Sequence, residues 1–371
     1  MLCPSLPKRP LTTGLYALAL AAAVAALITV QPARGTSEEN PPTSTDTSSL
    51  SMEELMAQLD AEAKKNADEQ NDEVMERLMR EAIARGGSKP VYGPDNRTEW
   101  WDIADPKVKR RAAASVALFD AESLSAPSAG RLKLAAKSLG ESFGMCPTER
   151  FAKQLSGASC SGVLVAPDVI ITAGHCVGEV AGRENASMLS NIRFVFGYVT
   201  RNDDDPGRSE YDTKQVFRGK RVIGGKLLPP SQGSDDWAVI ELDRAVPKEI
   251  AEPVKIAGNR IANTEELYVI GYPSGLPLKY APGAKVRKNG ERAYFVANLD
   301  TFGGNSGSGV FASKTNELVG ILVRGDTDYY MDSDHRCRRP FFCPSTGCEG
   351  EEVTRLEVVG LPPDVVSGDR E

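Results

Sequence analysis

A serine lies in the most glycine-dense part of the chain, residues 300–310, and a turn of this kind can support covalent catalysis. Ser306 is preceded by Gly304 and followed by Gly307. Because glycine adopts backbone conformations that other residues resist, the turn can expose the serine hydroxyl and direct successive backbone N–H groups to one point. Taken alone, the stretch also fits an ordinary Gly/Ser loop.

One histidine is placed to act as a general base. His175 follows the β-branched run 169–172 and precedes a cysteine. The chain has only one other histidine, His335, so the choice of a base that titrates near neutral pH is narrow. We expect His335 to be a loop residue rather than a second general base.

Two adjacent acids precede an apolar strand and supply the third type of side chain. Asp235 and Asp236 stand before the run 237–242. A carboxylate at the start of such a strand can be buried against an imidazole, although a plain role at a strand end or turn is also common for aspartate. The residues alone leave both acids open as candidates.

The order histidine, aspartate, serine, with separations of 61 and 70 residues, resembles that of the chymotrypsin-like (trypsin-like) serine peptidases. Three stretches carry the resemblance, namely Thr-Ala-Gly-His-Cys at 172–176, Asp-Trp-Ala-Val-Ile-Glu-Leu at 236–242 and Gly-Asn-Ser-Gly at 304–307. The family places its acid directly before the apolar strand, which implies Asp236 rather than Asp235.

The resemblance implies an all-β fold of two packed antiparallel β-barrels, with the three residues in the cleft between them. A content of 34 glycines and 24 prolines agrees with a protein rich in turns. Residues 91–97 are similar to the start of the mature domain in the bacterial glutamyl-endopeptidase-like branch. We therefore expect a peptidase domain over residues 89–371.

The resemblance also implies acyl transfer. Ser306 would attack the peptide carbonyl, His175 would take and return the proton, and Asp236 would hold the imidazole in the required tautomer. The backbone N–H groups of Gly304 and Ser306 would form the oxyanion hole. The chain is thus expected to be a serine endopeptidase acting on a protein or peptide substrate.

Substrate preference is expected to depend on Asp300, which lies six residues before Ser306, where trypsins carry the aspartate of their specificity pocket. This predicts cleavage after Arg or Lys. The resemblance adds Thr301, Val323 and Gly325 as substrate-binding residues. Arg324 is expected near the mouth of the pocket, where it would neutralise Asp300.

Two departures from relatives concern regulation and specificity. Asn305 replaces the aspartate that pairs with a freed N-terminal ammonium in vertebrate trypsins, so we do not expect that activation switch. Leu322 stands where glutamyl-specific relatives carry a histidine, so the resemblance to that branch does not imply cleavage after glutamate.

The chain has seven cysteines, and removal of an export signal that contains Cys3 would leave six. The resemblance implies a disulfide between Cys160 and Cys176. Pairing among the other four stays open, with three possible arrangements of Cys146, Cys337, Cys343 and Cys348. Three of these and His335 fall within 326–350, but their spacing fits no standard zinc site.

Three regions are predicted along the chain. Residues 1–35 read as a signal peptide, with a basic start, an apolar run and small residues near Gly35. Residues 36–88 combine a Ser/Thr/Pro-rich spacer with an amphipathic helix over 51–85. That helix fits a propeptide or coiled coil and equally a solvated tether, and residues 89–371 form the peptidase domain.

A formal net charge of −7 argues against nucleic acid or an anionic membrane as the main partner. We find no motif for a metal or other cofactor, and the acidic residues 203–205 read as a solvated turn. The predicted protein is secreted or periplasmic and leaves the membrane once its signal is cleaved.

Two alternatives to an active peptidase remain. One is a catalytically silent protein of the same fold that binds rather than cuts. The other is an assembly module in which the helix over 51–85 carries the peptidase. Intact histidine, aspartate and serine positions favour the enzyme.

Overall fold

The structure is a computed structural model that describes residues 58, 92, 95–178, 186–228, 232–325, 328–332, 334–341, 343 and 349–367. All of these belong to Thr47–Glu371, one of the two units into which the chain divides. The other unit, Met1–Asp46, holds the predicted signal peptide and lies outside the described residues. Apart from residue 58, so does the predicted helix over 51–85.

The described residues form nineteen strands. In chain order they are β1 Thr98–Glu99, β2 Ser115–Asp120, β3 Arg131–Lys133, β4 Lys137–Ser138, β5 Leu155–Ser156, β6 Cys160–Ala166, β7 Val169–Thr172, β8 Ile192–Phe196, β9 Glu210–Asp212, β10 Val216–Leu227, β11 Asp236–Leu242, β12 Glu266–Gly271, β13 Lys279–Lys288, β14 Tyr294–Ala297, β15 Gly309–Ala312, β16 Leu318–Arg324, β17 Tyr329–Asp332, β18 Cys337–Pro340 and β19 Glu351–Arg355.

Helices in the described residues are short. The α-helices are α1 Pro106–Ala113, α2 Leu139–Phe143, α3 Ala186–Ser190 and α4 Pro363–Ser367. Single turns of 3₁₀-helix cover Trp100–Asp102, Ala121–Ser123, Gly174–Val177, Thr213–Gln215, Pro273–Gly275 and Leu356–Val358. Within the described residues, the structure contains no helix with the length and apolarity needed to cross a lipid bilayer.

Six strands close the first barrel in the order β10-β11-β7-β6-β2-β8, with antiparallel pairing throughout. Strands β6, β7 and β11 are buried along their whole length, and most of their residues are apolar. The twelve-residue β10 contains two register shifts, and such bulges let a long strand bend around a closing barrel.

The second barrel runs β13-β12-β15-β16-β19-β14 and closes through a further pairing of β14 with β13. The two-residue β1 extends this sheet beside β13. The core of the second barrel includes Leu267, Phe295 and Val310. The predicted all-β fold of two antiparallel barrels is therefore confirmed.

Side chains from both barrels share one apolar cluster, which contains Phe194 and Ile240 of the first barrel and Tyr268 and Phe311 of the second. Hydrogen bonds add to this contact. Ser161 Oγ of β6 accepts the N–H of Tyr272 at 3.1 Å and donates to the carbonyl of Gly304 at 2.8 Å. The buried Ser161 thus connects the first barrel to the turn that contains Ser306.

The region 326–350, which holds three of the cysteines, contains a hairpin of β17 with β18. A disulfide between Cys146 and Cys337 joins this hairpin to the segment that follows α2. The sequence left the partner of Cys146 open, and the structure pairs it with a cysteine 191 positions away. Cys343 is disulfide-bonded as well, whereas Cys348 lies outside the described residues.

Candidate active site

His175 and Asp236 meet at one end of the first barrel. Strands β7 and β11 pair with Thr172 opposite Ala238, so the residues that follow β7 lie beside the first residue of β11. His175 Nδ1 is 2.8 Å from Asp236 Oδ2, and the His175 backbone N–H donates to Asp236 Oδ1 at 3.1 Å. These two contacts hold the imidazole with its Nε2 edge directed away from the carboxylate.

The two candidate acids have different surroundings, although both are buried. Asp235 forms ion pairs with Arg292 at 2.6 Å and with Lys226 at 3.2 Å. Asp236 alone contacts His175. Of the two acids, Asp236 is the first residue of β11, and it is the one whose carboxylate faces the imidazole.

Arg324 also approaches the Asp236 carboxylate. Its Nη2 atom is 3.7 Å from Asp236 Oδ2, and its Nη1 atom donates to Glu352 at 2.7 Å. The sequence predicts that Arg324 neutralises Asp300. In the structure its ion pairs are with Asp236 and Glu352 instead, and the cation that acts on Asp300 is Arg97.

The turn that contains Ser306 packs against the first barrel. Ser161 N–H donates to the Ser306 carbonyl at 2.8 Å, and Cys176 Sγ lies 3.6 Å from the same oxygen. Cys176 is the neighbour of His175, and its disulfide with Cys160 fixes the histidine loop to β6. The backbone of Ser306 is thereby held against the loop that carries His175.

Gly307 makes this close approach feasible. It has a φ of +85°, and a Cβ atom there would lie 2.1 Å from the Ser161 carbonyl oxygen and 2.4 Å from Thr172 Oγ1. Any larger residue would combine a strained backbone with a steric clash. The glycine next to Ser306 is therefore required by the contact between the turn and the first barrel.

The N–H groups proposed for the oxyanion hole are available. Gly304 has a φ of +89°, in the left-handed region that favours glycine. Within the described part of the chain, no protein group accepts the backbone N–H of Gly304 or Ser306. Ser306 and Gly304 are both partly exposed.

Asn305 points inward, where trypsins carry an aspartate. Its side-chain oxygen accepts a hydrogen bond from Ser308 Oγ at 3.1 Å, and both residues are buried. The amide thus takes part in a neutral hydrogen bond inside the turn, and no charge is buried at this position.

Asp300 precedes the turn that contains Ser306, is buried, and is contacted by Tyr92 near the start of the predicted peptidase domain. Tyr92 N–H donates to Asp300 Oδ1 at 2.8 Å, whereas the buried Oδ2 atom has no hydrogen-bond partner among the described residues. Burial raises the pKa of the Asp300 carboxyl to about 8, although the charge of Arg97 acts to lower it. At neutral pH the carboxyl is therefore mostly protonated.

Two contacts that the sequence did not predict hold the segment 302–304, which leads to Ser306, in place. Arg97 is buried and stacks on Phe302, with 4.6 Å between the guanidinium carbon and the ring centroid. Asp328 Oδ2 accepts the N–H of Gly303 at 2.8 Å. Burial raises the pKa of Asp328 to about 6, against the lowering effect of that hydrogen bond. No sequence signal identifies such contacts, because they join residues far apart in the chain.

The other side chains that could bind a metal ion are engaged in contacts within the protein. Cys160, His175 and Cys176 lie close together, but the two cysteines form a disulfide and offer no thiolate to a metal. His335 Nδ1 contacts Asp332 at 2.8 Å on the hairpin. In the acidic turn, Asp205 accepts hydrogen bonds from Arg201 and from Gly207 N–H.

Residues 160–321 match the family model of the trypsin-like peptidase domain. This range contains the His175, Asp236 and Ser306 motifs and ends within β16. No curated protein matches the chain significantly.

Several solved protease structures resemble the chain at low sequence identity. The inactive form of the Rv3671c protease from M. tuberculosis is 16% identical, with 72% of this chain and 91% of that chain covered and a TM-score of 0.36. The VesB protease of Vibrio cholerae is 14% identical, with coverage of 71% and 64% and a TM-score of 0.39. A Glu endopeptidase in complex with MPD is 20% identical, with coverage of 69% and 95% and a TM-score of 0.37.

Proposed function

We propose that the chain is an exported serine endopeptidase whose catalytic residues are His175, Asp236 and Ser306, and the match of residues 160–321 to the trypsin-like peptidase domain supports this. The observation that carries this proposal is the contact of His175 Nδ1 with the buried Asp236 carboxylate, next to a turn that holds Ser306 against the histidine loop. A carboxylate only accepts hydrogen bonds, so Nδ1 carries the proton and Nε2 is left as the basic nitrogen.

The reaction would proceed in two steps. Ser306 Oγ attacks the peptide carbonyl carbon while His175 Nε2 takes the hydroxyl proton and then transfers it to the leaving amine. The ester bond that forms is the acyl-enzyme. Water then attacks this ester with His175 again as base, so the peptide acid leaves and the serine hydroxyl is restored.

The Gly304 and Ser306 N–H groups would bind the oxyanion that develops on the carbonyl oxygen. Each such donor contributes on the order of 3 kcal/mol to transition-state stabilisation. Both groups lack a protein acceptor among the described residues, so no internal hydrogen bond has to break before substrate binds. We further propose cleavage after Arg or Lys as the preferred specificity.

Covalent labelling tests the catalytic assignment. A fluorophosphonate reagent, added to the purified full-length chain, is expected to modify Ser306 as located by peptide mass spectrometry. Ser306→Ala is the control and should remain unlabelled. A wild-type chain that retains its β-sheet circular dichroism but never reacts would instead support the catalytically silent binding protein.

Export rests on separate observations. The structure contains the disulfides Cys146–Cys337 and Cys160–Cys176, which persist in oxidising compartments. We propose that the protein is secreted or periplasmic after cleavage near residue 35. N-terminal sequencing of protein recovered outside the cytoplasm is expected to begin after that position, and full retention in the cytoplasm would contradict the proposal.

A further inference from the structure

The proposed oxyanion donor Gly304 lies in a β-turn of residues 302–305. Asn305 N–H donates to the Phe302 carbonyl at 3.0 Å and closes this turn around Gly303 and Gly304. Gly304 has a φ of +89°, whereas the φ of Gly303 is not positive. This combination is that of a type II turn. In the type I alternative the peptide between Gly303 and Gly304 is reversed, so the Gly304 N–H would point the other way.

One hydrogen bond determines which way this peptide faces. Ser274 N–H donates to the Gly303 carbonyl at 2.5 Å. The peptide is trans, and in a trans peptide the C=O and the N–H point in opposite directions, so the Gly304 N–H points away from Ser274. Among the described residues, no group accepts that N–H. The bond from Ser274 therefore keeps the oxyanion donor available, and a reversed peptide would lose it.

Ser274 has a backbone conformation that serine rarely adopts. Its φ is +51° and its ψ is +27°, in the left-handed region, and the residue is buried. Such a conformation persists only where the surrounding structure holds it. Ser156 Oγ donates to the Ser274 carbonyl at 2.6 Å, and the Ser274 hydroxyl bonds to the hydroxyl of Tyr329. Contacts with its carbonyl and with its side chain therefore hold Ser274 in place.

The segment that begins the β17–β18 hairpin contacts the same turn twice. Asp328 Oδ2 accepts the N–H of Gly303 at 2.8 Å. The ring of Tyr329 stacks on Phe302, with 5.3 Å between the ring centroids and 23° between the planes. Gly303 is thus bound at its N–H by Asp328 and at its carbonyl by Ser274. Tyr329 connects these two contacts, because its hydroxyl bonds to Ser274 and its ring packs on the turn.

The hairpin is itself joined to the rest of the domain. Cys337 of β18 forms the disulfide with Cys146. Arg339 of β18 forms ion pairs with Asp332 of β17 at 2.6 Å and with Glu149 at 2.5 Å. One covalent bond and one ion pair therefore connect the hairpin to residues 146–149. The hairpin can act as a support for the turn because it is held at its other end.

We propose that Asp328 and Tyr329 are positioning residues that hold the Gly303–Gly304 peptide in the orientation that offers the Gly304 N–H to the oxyanion. This inference rests on the proposed serine peptidase function. Both residues lie beyond the range 160–321, so the match to the family model does not assign them a role. Loss of one oxyanion donor lowers the rate by about 10² to 10³-fold, and loss of its positioning is expected to cost part of that factor.

The rate of Ser306 labelling tests this role without knowledge of the substrate. A fluorophosphonate transfers its phosphonyl group to the serine oxygen with loss of fluoride, and its phosphoryl oxygen takes the position of the oxyanion. The full-length chain is assayed at about pH 8, where the Asp328 carboxyl is ionised because burial raises its pKa only to about 6. Asp328→Ala is expected to lower the second-order rate constant at least about tenfold. Asp328→Asn keeps an oxygen acceptor and should retain most of the rate.

Alkylation of His175 by iodoacetamide separates positioning from a general loss of structure. This substitution at carbon develops no oxyanion, so its rate should be the same in wild type and in Asp328→Ala. Tyr329→Phe keeps the ring but loses the hydroxyl bond to Ser274, and it is expected to slow Ser306 labelling by about fivefold. Met331→Ala changes a side chain of β17 that is 57% exposed, and this control should label at the wild-type rate.

Two results would overturn the inference. One is an Asp328→Ala variant that labels at the wild-type rate. The other is an equal fall in Ser306 labelling and His175 alkylation, because the hairpin would then only maintain the overall fold of the site. Both results leave the proposed peptidase function intact, since wild type still reacts at Ser306. A wild type that never reacts removes that function and this inference with it.

Discussion

The guanidinium of Arg324 lies 3.7 Å from Asp236 Oδ2, the same carboxylate oxygen that contacts His175 Nδ1. A positive charge here offsets part of the negative charge of the Asp236 carboxylate. Glu352 binds the other side of the guanidinium at 2.7 Å and weakens this effect. The charge balance around the imidazole is therefore set by three residues and not by Asp236 alone.

The two adjacent aspartates are expected to have unequal effects on catalysis. Asp236→Asn removes the acceptor that fixes the His175 tautomer and should lower kcat by about 10⁴-fold. Asp235→Asn breaks ion pairs with Arg292 and Lys226 and should lower stability, with less than about a tenfold effect on kcat. Kinetics of both variants with one peptide substrate make the comparison, and equal losses would refute the assignment of Asp236.

The fold and the three candidate catalytic residues could be predicted from the sequence because their motifs are local. The apolar runs at 169–172 and 237–242 are buried strands, and each delivers its polar residue at the end where β7 and β11 pair. The choice between Asp235 and Asp236 needed a family resemblance, since only three-dimensional placement distinguishes two adjacent buried acids.

Long-range contacts were beyond the reach of the sequence. Asp300 bonds to a residue 208 positions away, and Thr301 bonds to Glu351 across 50 positions. Arg324 was expected to act on Asp300 because both were assigned to one pocket, but the alternation of β16 directs it to Asp236. No periodicity or local motif contains this information.

Gly307 is expected to tolerate no side chain. Gly307→Ala would place a methyl group 2.1 Å from the Ser161 carbonyl oxygen in a backbone conformation that alanine resists. We expect a loss of about 3 kcal/mol in the free energy of unfolding, together with loss of Ser306 labelling. The control is Gly290→Ala, because a Cβ atom there meets nothing within 4 Å. Urea unfolding compares the two, and similar stabilities would disprove the steric argument.

Asp300 is expected to make stability fall as pH rises from about 4 to about 8. Its pKa is raised to about 8 in the folded protein, so the folded carboxyl keeps a proton that the unfolded chain releases near its ordinary value of 3.8. Unfolding then releases one proton within this window, which lowers the free energy of unfolding by up to about 1.4 kcal/mol per pH unit.

Comparison of wild type with Asp300→Asn isolates the contribution of Asp300 to the pH dependence of the free energy of unfolding. Asp300→Asn removes the titration while its side-chain oxygen can still accept the Tyr92 N–H. Urea unfolding of both proteins at several pH values is expected to show a stability difference that grows with pH up to about 8. A difference that does not change between pH 5 and pH 8 would show that Asp300 is ionised in the folded protein.

Each barrel holds the backbone of a candidate catalytic residue of the other. Ser161 N–H of the first barrel holds the carbonyl of Ser306, and Thr354 Oγ1 of the second holds the carbonyl of Asp236 at 3.0 Å. The site thus lies at the interface of the two barrels, and hydrogen bonds from both barrels hold it together. On gradual denaturation, peptide hydrolysis should stop as soon as the two barrels separate, while the circular dichroism of intact β-sheet persists. Enzymatic turnover therefore reports the integrity of the interface between the barrels rather than the folding of either barrel.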